Sequence, residues 1–380
     1  MKEMDMKMKK IIILSFLSLA LIILTGCWDR VEIEERAMVL GLGIDSGTEL
    51  RLTYQFPLVA KLRPEGQDKG PGFMTKSCPG KTLGEAMTHL QQQIEEAVFL
   101  GQIRIIVFSE EAATRGVGQE IDFLRRDPML RPQVFVLVTP GSAAEFLQSQ
   151  SRTELVPSLA LVKLITQETR RGRLPNIHLG EFMVRQDSPG VDPVAPVFHP
   201  AEGTFHWDGL AVFGQDRMVG RLDQEESLIF MRLRDGKRGG SVEVANPMTD
   251  GTVLIKFFHL MRRVRIEEEG GLPHFYVTLE LEGNVGEFTG EQGRLPAPGR
   301  ISAADVRLIE ERAAQKVKKE TEDLVRKVQR EFGADIFGLG EWVRAYRPGL
   351  WRENWHEIFP YIRVDIEVKL RLRRYGMTGI

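Results

Sequence analysis

The sequence has very little cysteine, because its 380 residues include only Cys27 and Cys78. Small secreted proteins that depend on a disulfide framework carry several cysteines, so this class is excluded. Cys78 lies in a Lys-Ser-Cys-Pro-Gly segment at 76–80, a composition typical of a loop. We interpret Cys78 as an ordinary unpaired loop cysteine, and a reactive thiol is the less favoured alternative.

The chain also lacks an excess of charge of one sign, because 51 Lys and Arg residues face 53 Asp and Glu residues. Residues 1–26 contain four lysines, one glutamate and one aspartate, so removing them changes the net charge from −2 to −4. A mildly acidic chain lacks the overall attraction that nucleic-acid binding or anionic headgroups would exploit. We therefore expect no nucleic-acid partner.

Motifs for catalysis or for cofactor binding are missing from the sequence as well. It contains neither a Walker-type phosphate loop nor a Gly-x-Ser-x-Gly elbow, and its seven histidines show no zinc-ligand spacing. Gly41, Gly43 and Gly47 only superficially match a dinucleotide loop, since the last glycine is misplaced. We predict no enzyme, no catalytic residues, no cofactor and no metal.

The longest apolar run covers residues 11–24, and its fourteen residues include two serines. A membrane-spanning helix needs roughly 20 apolar residues, whereas this length is typical of a signal peptide. A basic stretch precedes the run, and Leu24-Thr25-Gly26-Cys27 follows it in a pattern that resembles a bacterial lipobox. We predict a lipoprotein signal peptide over 1–26, cleavage between Gly26 and Cys27, and diacylglycerol on Cys27. An uncleaved signal anchor is the alternative.

The 354 residues after this segment are too many for one ordinary core, so we expect two or three domains. Residues 186–204 contain four prolines, and this composition predicts a linker near 190–205. The predicted division is an N-terminal α/β region over 27–200, as one unit or two subdomains, and a C-terminal α+β domain over 205–376.

In the N-terminal region, the hydrophobic pattern alternates between strands and helices. Strands are predicted at 39–44, 50–56, 103–108 and 134–138, and helices at 83–98, 117–126 and 142–148. Residues 63–80 are rich in Gly, Pro, Lys and Asp, which predicts a loop. Since strand–helix–strand units place their strands in parallel, we expect at least one parallel pair here.

The C-terminal region contains a predicted hairpin and two long elements. The hairpin joins 210–213 to 218–222. A helix begins at Ser302, carries one apolar stripe to Phe332 and ends at Gly333. From Ile362 to Arg373, apolar and charged residues alternate strictly, as in a strand with one buried face. The predicted class is α+β, with about three domains, mixed sheets and packed helices.

Short segments spread over nearly the whole chain resemble, in the same order, those of the Ger(x)C lipoproteins, the C subunits of spore germinant receptors. At Gln102 the sequence departs from the family, which commonly has histidine there. The matching segments are Gly26-Cys27-Trp28-Asp29 with Glu32-Ile33, Gly41-Leu42-Gly43-Ile44-Asp45, Thr82-Leu83-Gly84-Glu85-Ala86, Asp122-Phe123-Leu124-Arg125-Arg126-Asp127, Ala211-Val212-Phe213 with Gly220-Arg221-Leu222 and Glu226, and Asp335-Ile336-Phe337-Gly338-Leu339-Gly340 with Trp355.

The resemblance implies a non-enzymatic subunit of a nutrient germinant receptor, required for spore germination. Its partners would be two integral membrane subunits, A-type and B-type, and membrane lipid through the diacylglycerol. It would be lipid-anchored to the outer face of the cell membrane or of the inner spore membrane, with the small-molecule germinant bound directly or through partners. A solute-binding lipoprotein of a transporter and an envelope hydrolase are the alternatives. Candidate partner surfaces are the loop at 63–80 and the tryptophan-containing segment 342–355, for which core packing is the competing interpretation.

Overall fold

The structure is a computed structural model that describes residues 2–23, 32, 35–47, 49–58, 70–236, 240–290 and 301–374. The predicted cleavage and lipidation site at Gly26 and Cys27 lies outside the described residues. The strands are β1 (Arg36–Met38), β2 (Gly41–Ser46), β3 (Leu50–Pro57), β4 (Phe73–Gly80), β5 (Ala97–Phe99), β6 (Ile105–Ser109), β7 (Phe135–Thr139), β8 (Val194–Ala201), β9 (Thr204–Gly214), β10 (Arg217–Leu222), β11 (Ser241–Ala245), β12 (Thr252–Glu269), β13 (Leu272–Phe288) and β14 (Arg363–Arg374).

The described helices vary from one turn to seven turns, and none of them is long and apolar enough to cross a membrane. They are α1 (Lys2–Ile23), α2 (Leu83–Gln91), α3 (Glu110–Arg115), α4 (Gly118–Arg126), α5 (Ala143–Gln148), α6 (Pro157–Arg170), α7 (Leu179–Asp187), α8 (Gln224–Asp235), α9 (Ala303–Lys327), α10 (Leu339–Tyr346) and α11 (Trp355–Ile358).

An eight-stranded mixed sheet has the strand order β10-β9-β8-β7-β6-β2-β3-β4. Strands β2, β6, β7 and β8 run parallel, which confirms the parallel pairing predicted from the strand–helix alternation. Every residue of β6 and β7 is buried, because helices cover both faces of the central strands. The small pair β1–β5 lies beside the entrance to β2.

Two composition-based predictions for this sheet are wrong. Residues 194–201 form β8 rather than a linker, and β8 pairs with β9 through a two-residue turn at Glu202 and Gly203. Proline fits in β8 because this strand pairs with β7 only at Val197, so few ladder bonds are lost there. Residues 73–80 form the edge strand β4 rather than a loop, and Cys78 is completely buried in it.

The predicted helix at 83–98 is shorter than expected. It ends at Gln91, whose side-chain amide donates to the Glu96 carbonyl and accepts the Val98 N–H at 3.0 Å each. These two bonds hold a turn that redirects the chain, so Val98 belongs to β5. Helices α4 and α5 confirm the two predictions that follow it in the chain.

A four-stranded sheet, ordered β11-β12-β13-β14, packs against the long helix α9, which contacts both of its edge strands. Side chains of this helix bind backbone groups on both edge strands of the sheet. Arg312 and Lys316 donate to carbonyls of β11, and Glu310 accepts the Leu372 N–H of β14 at 2.7 Å. These hydrogen bonds occupy backbone groups of the edge strands and so oppose pairing with a further strand. The predicted long helix, its capping box at Ser302 and the terminal strand are confirmed.

The buried side chains form one core around α9 and two further cores on the faces of the eight-stranded sheet. The α9 core includes Val194, Leu210 and Leu222, which come from the eight-stranded sheet. The fold is α+β and multi-domain, as predicted. Because the two sheets share a core, the division at 200 and 205 stays a prediction that needs its own test.

Candidate functional site

The segment Asp335–Gly340 folds around one buried carboxylate. Asp335 is completely buried and accepts N–H groups of Gly338 and Gly340 at 2.8 Å each. Its Oδ2 also accepts the indole N–H of Trp355 at 3.0 Å. Because α10 begins at Leu339, the carboxylate satisfies amides at the amino end of this helix, where a negative charge is favoured.

A second buried carboxylate, Asp192, contacts the first across the junction between the two sheets. Its backbone N–H donates to the Asp335 carbonyl at 2.8 Å, and its Oδ2 accepts the Asp335 N–H at 2.7 Å. Its Oδ1 accepts the N–H of Gln215, in the turn between β9 and β10, at 2.9 Å. Asp192 therefore joins the segment before β8, this turn and the segment after α9. We call Asp192, Asp335 and Trp355 the aspartate junction.

The chain approaches itself very closely beside these carboxylates. A Cβ atom on Gly340 would lie 2.6 Å from the Cα of Gly190 and 2.8 Å from Cε2 of Trp355. The Glu341 N–H donates to the Gly190 carbonyl at 3.2 Å, and the Ser188 hydroxyl donates to the Glu341 carboxylate. Any side chain at position 340 would clash with the Gly190 backbone, so this contact requires glycine.

Burial dominates the electrostatics of the aspartate junction. Desolvation raises the pKa of Asp335 to about 7, opposed by the amide donors at Gly340 and Leu339 and assisted by the nearby charge of Asp192. Desolvation also raises the pKa of Asp192, opposed by the Gln215 N–H and by His356. The His356 Nδ1 lies 3.5 Å from Asp192 Oδ2.

The geometry suits a structural role better than acid–base catalysis. Both oxygens of each carboxylate accept N–H groups, and the residues are at most 1% exposed, so a substrate cannot reach them. In the described part of the chain, no group of three or more His, Cys, Asp or Glu side chains is arranged to hold a metal. What the junction does is fix the C-terminal elements against the eight-stranded sheet.

The carboxyl edge of the parallel strands is the usual ligand site of an α/β sheet, and here the Asp45 carboxylate binds the free amides at the start of α5. Asp45 accepts the N–H groups of Ala143 at 2.7 Å and Ala144 at 3.0 Å, at the start of α5. Added Cβ atoms at Gly41 and Gly43 would lie within about 3 Å of α5, so glycine allows α5 to lie close to β2. These two glycines thus serve helix packing, in agreement with the rejection of a dinucleotide loop.

The structure separates the residues that the sequence grouped as partner surfaces. Trp355 is completely buried in the aspartate junction, which confirms core packing for this residue. Trp342 and Trp351 are half-buried, and their rings contact Tyr346 and Trp355 at centroid distances of 5.5 Å each. Of the predicted loop at 63–80, positions 63–69 lie outside the described residues.

Sequence reasoning did not identify Asp192 as a functional residue. It lies in the proline-rich stretch that composition assigned to a linker, and a lone Asp-Pro pair gives no signal of burial. The family resemblance included Asp335 without giving it a role, and Trp355 was grouped with a candidate partner surface for which core packing was the competing interpretation. A signal was present in the Gly-Leu-Gly sequence after Asp335, because closely spaced glycines often accompany close backbone approach.

Comparison with known proteins identifies both halves of the chain. Residues 29–200 match the model of the spore germination protein N-terminal domain, and residues 208–376 match the Spore germination B3/GerAC-like C-terminal domain. The chain is 23% identical to spore germination protein B3 of Bacillus subtilis, covering 94% of this chain and 96% of that protein. It is 21% identical to spore germination protein GerQC of Bacillus cereus, covering 98% of this chain and all of that protein.

A solved structure shows the same fold. The crystal structure of the GerBC protein superposes with a TM-score of 0.59 at 17% sequence identity, covering 87% of this chain and 96% of that one. The two family models follow each other along the chain and together cover most of its sequence. The chain belongs to the Ger(x)C family of spore germination proteins.

Proposed function

We propose that this protein is the lipoprotein C subunit of a nutrient germinant receptor, required for spore germination. The observation that carries the proposal is the nearly full-length match to spore germination proteins, in both family domains. In this proposal two integral membrane subunits, A-type and B-type, are its partners. Deleting the gene in a strain without a redundant homologue should slow germination with nutrients and leave receptor-independent germination intact. Unchanged nutrient germination in that strain would contradict the proposal.

We further propose that Cys27 carries the membrane anchor, on the outer face of the inner spore membrane. The basic start, the fourteen-residue apolar run and the Leu-Thr-Gly-Cys sequence support this proposal. Two acyl chains with roughly 0.8 kcal/mol for each buried methylene anchor a protein stably, whereas one chain does not. Intact-mass analysis of membrane-extracted protein should give cleavage before Cys27 plus diacylglycerol. An unprocessed mass would favour the uncleaved signal anchor.

The protein acts without catalysis in this proposal. The paired carboxylates of the aspartate junction are enclosed, and their oxygens are occupied by N–H donors. Purified protein should therefore leave cell-wall substrates intact, and hydrolysis of such a substrate would revive the alternative of an envelope hydrolase.

A solute-binding lipoprotein of a transporter makes a different prediction about partners. Such a protein has two similar α/β lobes around a cleft, whereas the two larger described sheets here have eight and four strands in unlike topologies. Detergent pull-down from spore membranes should recover two multi-spanning subunits with this chain. Recovery of a permease and an ATPase instead would support the transporter function.

A further inference from the structure

The parallel strands fix the end of the molecule that receives the N-terminal segment. Because β2, β6, β7 and β8 are parallel, their first residues lie along one edge of the eight-stranded sheet, which we call the amino edge. Glu35 and β1 lie directly before β2, and the Arg104 N–H before β6 donates to the Leu40 carbonyl at 2.8 Å. The chain from Cys27 thus joins the folded body at the amino edge.

A short connection limits how far this edge can lie from a membrane. Glu35 lies eight positions after Cys27, so the connection spans at most about 28 Å when fully extended. The six residues of β2 place the opposite edge a further ~20 Å away. If Cys27 carries the lipid, as the proposed function states, the amino edge lies within about 28 Å of the bilayer, whereas the opposite edge can lie about 20 Å farther away.

The amino edge exposes apolar side chains on three adjoining elements. Met129 in the loop before β7 is 53% exposed, Val184 on α7 is 68% exposed and Tyr346 on α10 is 69% exposed. The loop contacts α7, because the Gly180 N–H donates to the Pro132 carbonyl at 2.9 Å. A groove of about 540 Å³ between α7 and α10 is lined by Val184 and Trp342, among others. The three elements therefore form one continuous surface.

Arginines flank these apolar side chains. Arg104 and Arg131 are exposed, and neither forms an ion pair within the described part of the chain. On the opposite edge, the crevice at the ends of β2 and β6 is lined by the three acidic residues Asp45, Glu49 and Glu111 and by Arg51. The groove at the amino edge carries both signs, because Glu181 and Glu341 line it together with Arg185 and Arg234, and Arg104 and Arg131 add two exposed cations to this edge. Exposed apolar groups next to arginines are typical of proteins that lie in the headgroup layer.

We propose that the amino edge lies against the bilayer, with Met129, Val184 and Tyr346 in the headgroup layer and Arg104 and Arg131 at lipid phosphates. The occupant of this surface is lipid rather than a protein partner, because the anchor brings the amino edge to the bilayer even when no other protein is present. The surface orients the C subunit on the membrane so that the carboxyl edge of the eight-stranded sheet faces away from lipid.

The test uses the full-length lipidated protein in vesicles of phosphatidylcholine with a quarter of phosphatidylglycerol and nitroxide-labelled headgroups. Single fluorophores are placed at Met129→Cys, at Val184→Cys and, as the matched control on the opposite edge, at Glu49→Cys. Cys78 is buried and does not compete for the label. We expect at least about threefold stronger quenching at 129 and 184 than at 49. Equal quenching at the three positions would overturn the inference.

Charge reversal supplies the second measurement. Each arginine near an anionic surface contributes a factor of about five to binding, so Arg104→Glu with Arg131→Glu should markedly reduce quenching at position 129. Arg51→Glu on the opposite edge is the matched control and should leave it unchanged. Equal effects of both changes would contradict a role for the two arginines. Sedimentation of vesicles separates the outcomes: failure to co-sediment refutes the lipid anchor itself, whereas co-sedimentation with equal quenching refutes only the orientation.

Discussion

Asp192 and Asp335 are 143 residues apart in the sequence, yet each donates its backbone N–H to the other residue, at 2.7 and 2.8 Å. The Asp335 N–H donates a hydrogen bond to the side chain of Asp192, and the Asp192 N–H donates one to the Asp335 carbonyl. This exchange joins the eight-stranded sheet to the segment between α9 and α10. A structural change at the aspartate junction in one half of the protein would therefore alter the hydrogen bonds that hold the other half.

Removal of the Asp335 carboxylate should destabilise the whole protein. Asp335→Ala leaves the N–H groups of Gly338, Gly340 and Trp355 buried without an acceptor, and each such group costs about 1–3 kcal/mol. We expect the free energy of unfolding to fall by roughly 3–5 kcal/mol in urea titration. Asp187→Ala is the control, because its ion pair with Arg125 is exposed and contributes at most about 1 kcal/mol. Similar losses for both variants would contradict the assignment.

The raised pKa of Asp335 predicts a dependence of stability on pH. Its pKa changes from 3.8 to about 7 on folding, so the folded state binds this proton more tightly. The resulting stabilisation is fully present below about pH 4 and is lost as pH rises through 7, by up to about 1.4 kcal/mol per pH unit. Asp335→Asn cannot ionise, and subtracting its profile from the wild-type profile isolates this contribution. A wild-type advantage that grows with pH would refute the sign.

Gly340 tests the close backbone contact. A methyl group at this position would meet the Gly190 backbone, so Gly340→Ala should lower the free energy of unfolding by roughly 1–3 kcal/mol. Gly349→Ala is the matched control, because no atom lies within 4 Å of an added Cβ there. Thermal denaturation of the two variants side by side measures the difference, and an unchanged midpoint for Gly340→Ala would show that the junction can move apart without cost.

Cys78 should react only when β4 opens. Its side chain is completely buried, and burial also raises the pKa of its thiol, so little thiolate is available for reaction. With Cys27 lipidated or replaced by serine, a thiol reagent such as DTNB should modify the native protein slowly and the urea-unfolded protein at once. Exposed Glu49→Cys gives the reference rate for an accessible thiol in the same protein. Equal native rates would restore the loop interpretation of Cys78.

The predicted domain boundary can be tested with two fragments. Because β8 pairs with β9 across positions 200 to 205, and Asp192 joins this region to Asp335, fragment 188–376 should be more stable than fragment 205–376. Circular dichroism during urea unfolding compares their midpoints. Equal midpoints would show that position 205 is a true boundary and that β8 contributes nothing to the C-terminal part.

Sequence patterns were sufficient where local chemistry decides the structure. The strict alternation from Ile362 to Arg373 predicts a strand with one buried face, and the Ser302 cap with the apolar stripe predicts α9. Both elements are present because apolar residues with a period of two lie on one face of a strand, and those with a period of 3.6 lie on one face of a helix, whatever the element packs against. The resemblance to the Ger(x)C proteins likewise followed from short segments in order.

Composition misled where distant partners decide the structure. The proline-rich stretch before position 204 forms β8 because β9 pairs with it along its length, while its pairing with β7 is limited to one position and needs few backbone hydrogen bonds. Cys78 is buried because its segment pairs with β3 as the strand β4. The aspartate junction was not predictable for the same reason. A carboxylate becomes a buried acceptor only when donors from three separate segments converge on it, and only the tertiary structure brings Gln215, Gly340 and Trp355 to the two aspartates. The sequence by itself therefore determined the family and the elements with a regular hydrophobic period, whereas tertiary pairing and packing decided β4, β8 and the residues that join the two larger sheets.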